Sequence, residues 1–167
     1  TAAAAITNLS GELMQLFGAG ARNFLVPNMV ALSLTPYGRS LSPSEQIALH
    51  QLSVGFDAGL DSMLDTLALA PEINIIPFDT LSFFNELIAD PAAFGLTNVT
   101  SACFSGVAVC GDQDSYLFWD TVHPTTAAAR LLGDRFTAAA VPEPSALLLL
   151  GAGLIGLAGL AWRRRKI

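Results

Sequence analysis

The residues best suited to chemistry are crowded into Tyr116-Leu117-Phe118-Trp119-Asp120-Thr121-Val122-His123-Pro124-Thr125. One of the chain's two histidines is there, three positions after an aspartate. A carboxylate that accepts a hydrogen bond from one imidazole nitrogen fixes the tautomer. It also stabilises the imidazolium formed when the other nitrogen takes a proton. The pair therefore points to nucleophilic catalysis, with Asp120 orienting and His123 acting as base. Pro124 and an alanine-rich segment follow at once, which puts both side chains on a loop entering a helix. The competing role for His123 is to cap that helix. The other histidine, His50, has no carboxylate spaced to orient it and reads as surface.

A chain of 167 residues with 52% hydrophobic content can build a core. Set aside the terminal Arg163-Arg164-Arg165-Lys166, and four basic residues face all 14 acids, a net charge near −10. That surface argues against nucleic acid as a partner, because phosphates reward clustered Lys and Arg. Cys103 and Cys110 lie seven apart in a Ser-, Gly- and Val-rich stretch. A disulfide in an oxidising compartment is the first reading. Reduced structural thiols and a metal site stay open as alternatives, although a metal would want more ligands nearby. No metal or cofactor is expected.

The elements that must position the pair follow from periodicity. Residues 7–17 carry apolar side chains at 9, 13, 16 and 17, one face of a helix that Gly18 and Gly20 would stop. Ala21–Val30 is a short apolar run suited to a buried parallel strand that ends near Val26, since Pro27 limits its hydrogen bonding. From Pro43 to Leu69 the stripe Leu49, Leu52, Phe56, Leu60, Met63, Leu67 predicts a helix, with Ser42 as cap and Glu45 three residues on. Asp57, Asp61 and Asp65 beside that stripe read as a solvated acidic face, with a cation site as the lesser alternative. Ile73–Asp79 predicts a second strand and Thr80–Ile88 a helix capped by Asp79 or Thr80, making Asp79, at the strand's carboxyl end, a rival for the orienting acid. Asp90–Asp114 reads as one long connection, and Thr125–Ala139 as the closing helix. Strand and helix alternate, the grammar of an α/β layer fold.

Phe118-Trp119-Asp120-Thr121-Val122-His123-Pro124-Thr125 resembles the last conserved block of the GDSL (SGNH) esterases and lipases, in the branch of plant lipases and thermolabile haemolysin-like phospholipases. Arg22-Asn23-Phe24-Leu25-Val26-Pro27-Asn28-Met29 is similar to a strand of the same family. The resemblance implies a three-layer α/β/α fold on a flavodoxin-like parallel sheet and a Ser-Asp-His triad acting on ester or lipid substrates. It makes Asp120 the orienting acid and His123 the base. It also places the loop after the first strand, Ser33 to Pro43, at the border of the active site, with Asn28 and Tyr37 as candidate substrate contacts. Ligands gather at the carboxyl ends of parallel strands, which gives that placement a physical reason. The family's Gly-Asp-Ser-Leu and Gly-x-Asn-Asp blocks are not in this sequence. Ser33, Ser40 and Ser42 lack the glycine-framed elbow of a nucleophile. The expectation is a C-terminal portion of a longer enzyme, residues 1–138, inactive alone because its serine lies upstream of Thr1. A non-catalytic exported surface or matrix protein is the alternative.

The last segment has a separate logic. Val141-Pro142-Glu143-Pro144-Ser145 suits an extended linker, taken as 139–145. Ser145–Trp162 is uncharged and, at about 27 Å as a helix, just long enough to span a hydrocarbon core. Its four glycines disfavour a soluble core helix. The basic residues of 163–167 would stay cytoplasmic, leaving the domain on the outer side. Pro142-Glu143-Pro144, the apolar segment and the basic cluster resemble the PEP C-terminal sorting signal of Gram-negative bacteria. That resemblance implies export, a transmembrane anchor and an exosortase-type processing partner.

Overall fold

The computed structural model describes residues 1–141 and, beyond them, Ile155 alone. Helix α1 (Ala2–Gly18) starts under a Thr1 cap and presents Ile6, Leu9, Leu13 and Phe17 as its half-buried face. Ala2–Ala5, ahead of the apolar face that begins at residue 9, is thus helical too, and the chain leaves the helix through Gly20 at φ 105°, a conformation that glycine adopts without strain. Strand β1 (Asn23–Pro27) pairs in parallel with β2 (Asn74–Phe78), in register from Asn23↔Asn74 to Pro27↔Phe78. Between them come the short α2 (Pro36–Ser40) and the long α3 (Pro43–Leu67). The Glu45 carboxylate accepts the Ser42 N–H at 2.9 Å and the Ser42 hydroxyl at 2.6 Å, closing the start of α3 as its sequence predicts.

Helix α4 (Thr80–Ala89) follows β2 under an Asp79 cap. Strand β3 (Asn98–Ala102) then pairs in parallel with β4 (Tyr116–Phe118), and α5 (Thr126–Ala140) ends the described fold. Phe83, Phe84, Leu87, Leu96, Leu117, Phe118 and Ala128 form the core, so α4, β4 and α5 share one apolar interior. Phe78 and Phe136 meet edge-to-face at 4.8 Å and fasten α5 to β2.

Several expectations need correcting. The parallel strands number four among the described residues, but they form two two-stranded sheets rather than one continuous sheet. Asp90–Asp114 is not a structureless connection. It holds two 3-10 turns, Pro91–Phe94 and Gln113–Ser115, with β3 between them. The buried face of α3 is Ser53, Asp57, Leu60 and Leu64, while Leu52 is 61% exposed. Asp57 is therefore not solvated. Its Oδ1 accepts the Met29 N–H at 2.8 Å, and burial pushes its carboxyl above the ordinary range. Ser53 Oγ likewise accepts the Leu32 N–H at 3.1 Å, so polar side chains dock the 29–32 loop on α3. A hydropathy stripe does not register such contacts.

Gly38 lies where α2 turns against the 32–33 backbone, and a Cβ there would overlap the Leu32 carbonyl oxygen. Gly38→Ala is expected to cost about 1–3 kcal/mol, the range for forced overpacking. Urea or thermal unfolding checks it, and an unchanged midpoint would contradict the packing.

Among the described residues no helix is long and apolar enough to cross a membrane. The expected transmembrane segment Ser145–Trp162, the sorting residues Pro142, Glu143 and Pro144, and the basic tail 163–167 lie outside the described residues, Ile155 apart.

Candidate active site

The site grows from the end of β4. Leu117 and Phe118 anchor the strand in the core, and Thr125 ties its other flank down. The Thr125 hydroxyl donates to the Tyr116 carbonyl at 2.6 Å and accepts the Ala128 N–H at 3.1 Å, while its own N–H reaches the Leu117 carbonyl at 3.0 Å. One residue thus caps α5 and returns the chain to β4. The six residues between are folded into a tight turn, closed by the Trp119 N–H to the His123 carbonyl at 2.8 Å.

Asp120 organises that turn. Its Oδ1 accepts the N–H groups of Val122 at 2.8 Å and His123 at 2.7 Å, and its Oδ2 lies 2.8 Å from His123 Nδ1. The His123 and Val122 backbone N–H groups and the His123 ring hold the carboxyl down at about 2. Asp120 is therefore an acceptor only at neutral pH, which makes Nδ1 the donor and leaves Nε2 free of a proton in the neutral ring. The His123 side chain is 75% exposed and that of Asp120 35%. Among the described residues no hydrogen bond reaches Nε2. The arrangement can take a proton from an approaching hydroxyl while the carboxylate holds the ring.

This carboxyl also gives a pH signature. A depressed folded-state pKa contributes stability that is present above the unfolded value, 3.8, and is lost as pH falls towards about 2. Wild-type protein is thus expected to be more stable than Asp120→Asn at pH 7, with the gap narrowing between pH 4 and 2. Unfolding midpoints across that range check it, and a gap independent of pH would contradict it.

Two supports hold the turn. From α2, the Tyr37 N–H donates to the Thr121 carbonyl at 2.9 Å. From the segment after β3, Cys103 N–H meets the Phe118 carbonyl at 3.0 Å and Phe104 N–H the Trp119 carbonyl at 2.6 Å. Cys103 and Cys110 are joined as a disulfide, with Cα atoms 4.8 Å apart. An open groove of about 520 Å³ abuts the turn, lined by Gln113, Asp114, Trp119, Pro124, Thr125 and Thr126.

The remaining candidates have other placements. Asn28 is committed to the fold: its Oδ1 accepts the Thr80 N–H at 2.7 Å and its amide donates to Asp79 at 3.2 Å. Asp79 in turn accepts the Ser82 N–H at 2.9 Å and hydroxyl at 2.6 Å, the role of a helix cap. Tyr37 has an exposed ring on the helix that supports the turn. Ser40 and Ser42 spend their hydroxyls on the Tyr37 carbonyl and Glu45. Among the described residues no three His, Cys, Asp or Glu side chains converge on a metal position. Neither the groove nor the stacking of Phe104 on Trp119 is legible in the sequence, where Phe104 stands only as an aromatic next to Cys103.

A family model for GDSL-like lipases and acylhydrolases matches residues 2–136. The chain belongs to that family. The α/β composition and parallel strands of this GDSL-family chain fit the SGNH type of fold. A second model, the PEP-CTERM protein-sorting motif, matches residues 140–166 and implies export and membrane sorting. Three GDSL esterase/lipases of Arabidopsis thaliana are similar to the GDSL-family chain. They are 29% identical over 78% of the chain and 40% of the relative, 30% over 75% and 38%, and 26% over 78% and 39%. The chain thus spans about 40% of the length of these curated relatives.

Proposed function

We propose that residues 1–138 are the C-terminal portion of a three-layer SGNH-type serine ester hydrolase, in which Asp120 orients and His123 is the general base. The observation that carries this reading is the 2.8 Å contact of Asp120 Oδ2 with His123 Nδ1, on a turn whose Nε2 faces outward. A serine supplied from outside Thr1–Ile167 gives its proton to Nε2 as its oxygen bonds the ester carbonyl carbon. The tetrahedral intermediate collapses, the C–O bond to the alcohol breaks, and His123 returns the proton to the leaving oxygen. Water, deprotonated by the same nitrogen, then releases the acid and restores the serine. Donors to the oxyanion likewise come from outside Thr1–Ile167. Asp120 keeps its charge throughout, since its carboxyl titrates near 2.

The substrates are carboxylic esters of lipids or acylated polymers, part of which would lie in the groove between Trp119 and Thr126. The protein is exported, held by 145–162 with 163–167 on the cytoplasmic side and 139–145 as linker, and handed to an exosortase-type enzyme.

No serine among the described residues is bonded to His123, so the 167-residue chain alone is expected to show no His123-dependent hydrolysis of a p-nitrophenyl ester. The full-length protein is expected to hydrolyse it. Turnover by the chain alone that His123→Gln abolishes would overturn the assignment of the serine.

A further inference from the structure

The Asp120–His123 pair is too exposed to be held by packing of its own side chains. Besides the bonds of Asp120 Oδ1 to the Val122 and His123 N–H groups, its geometry depends on what grips the backbone of residues 118–123 from outside the turn. The most extended grip comes from residues 103–110, which continue β3 past its end: Cys103 N–H bonds the Phe118 carbonyl and Phe104 N–H bonds the Trp119 carbonyl. The Phe104 ring then stacks on Trp119, centroids 5.7 Å apart and planes 14° from parallel. Trp119 is itself the residue whose N–H closes the turn on His123.

Little else secures this segment. Beyond Phe104 it holds the bridge Phe104↔Val109, a turn in which the Ser105 N–H and hydroxyl reach the Ala108 carbonyl at 3.0 and 3.1 Å and the Ala108 N–H reaches the Ser105 hydroxyl at 3.1 Å, and Gly106 at φ 90°. Val107 at its tip is 95% exposed. Segments with so few buried contacts open locally at little free-energy cost. The return of the chain is fixed by the Cys103–Cys110 disulfide and the Cys110 N–H to the Cys103 carbonyl at 2.8 Å.

We propose that the Cys103–Cys110 disulfide and Phe104 together are positioning residues for the Asp120–His123 pair, so that opening the bond frees Phe104 from Trp119 and lets His123 leave Asp120. The proposal rests on the acid–base reading of the pair for its consequence on rate, but its geometric content belongs to this chain alone. Cys103 is buried against Phe118, so the covalent tie acts at the root of the segment, where it meets the site.

The test reads the His123 tautomer by 15N NMR in the full chain, with exposed His50 as internal reference. In the oxidised protein the neutral His123 ring is expected to carry its proton on Nδ1, facing Asp120, whereas His50 has no such partner. Dithiothreitol then adds two electrons and two protons to the bond, leaving two thiols and closing to its own cyclic disulfide. His123 is expected to lose the Nδ1–H pattern and approach that of His50, with the helical circular dichroism unchanged. Phe104→Ala, with the disulfide intact, is expected to produce the same loss, and Phe104→Tyr to retain the oxidised pattern. An Nδ1–H pattern that survives either reduction or Phe104→Ala overturns the joint positioning role while leaving the pair intact. A His123 that already matches His50 in the oxidised chain sinks the pairing itself, and the proposal with it.

Discussion

Replacing His123 with Ala in the full-length protein is expected to lower kcat for ester hydrolysis by about 10⁶-fold, and Asp120→Asn by about 10⁴-fold. KM should stay near its wild-type value in both, because neither group binds the ground-state ester. Without His123 nothing accepts the serine proton, and activity falls to what binding and the oxyanion donors provide. With Asn at 120 the ring keeps a neighbour, but an amide does not fix Nδ1 as donor, and it carries no charge to stabilise the imidazolium. Asp120 Oδ1 also holds the N–H groups of Val122 and His123, which Asn can still accept, so the turn should survive. Initial rates on a p-nitrophenyl ester measure both effects. A His123→Ala enzyme within tenfold of wild type would remove the base from the account.

Phe118→Ala is expected to cost about 3–5 kcal/mol, the range for removing a buried aromatic side chain. Phe118 is 1% exposed and Leu117 not at all, and together they hold β4 against Phe84, Leu87 and Ala128. Domains are stable by only about 5–15 kcal/mol, so this one change should bring the fold near its limit. It should also disturb the site, since the Phe118 carbonyl receives the Cys103 N–H and the next residue is Trp119. Urea unfolding gives the magnitude. A loss below about 1 kcal/mol would mean that β4 is not the anchor of the site.

The parts of this molecule that announce themselves in sequence are those whose physics is local. Ser42 and Glu45 lie three apart because a capping box closes within one turn, and Asp120 and His123 lie three apart because one carboxylate can meet both the backbone and the ring there. β1 and β2 show as short apolar runs because Phe24, Leu25, Val26, Ile75 and Ile76 are half-buried or buried side chains between exposed residues. β3 does not: Asn98-Val99-Thr100-Ser101-Ala102 is short, largely polar and defined by its pairing with β4, eighteen residues ahead in the register Asn98↔Tyr116. Ser53 gives no signal and Asp57 reads as part of a solvated face for a related reason, as each is buried to satisfy an N–H of the loop that follows β1. Asn28, a candidate for substrate, instead joins the end of β1 to the start of α4. Those partnerships depend on tertiary distance, which periodicity does not carry.

The most direct measurement is covalent labelling of the full-length protein with a fluorophosphonate, followed by mapping of the modified peptide. The account predicts one labelled serine outside Thr1–Ile167, with labelling abolished by His123→Ala and strongly slowed by Asp120→Asn. Labelling of a serine within the chain, or labelling indifferent to His123, would contradict it.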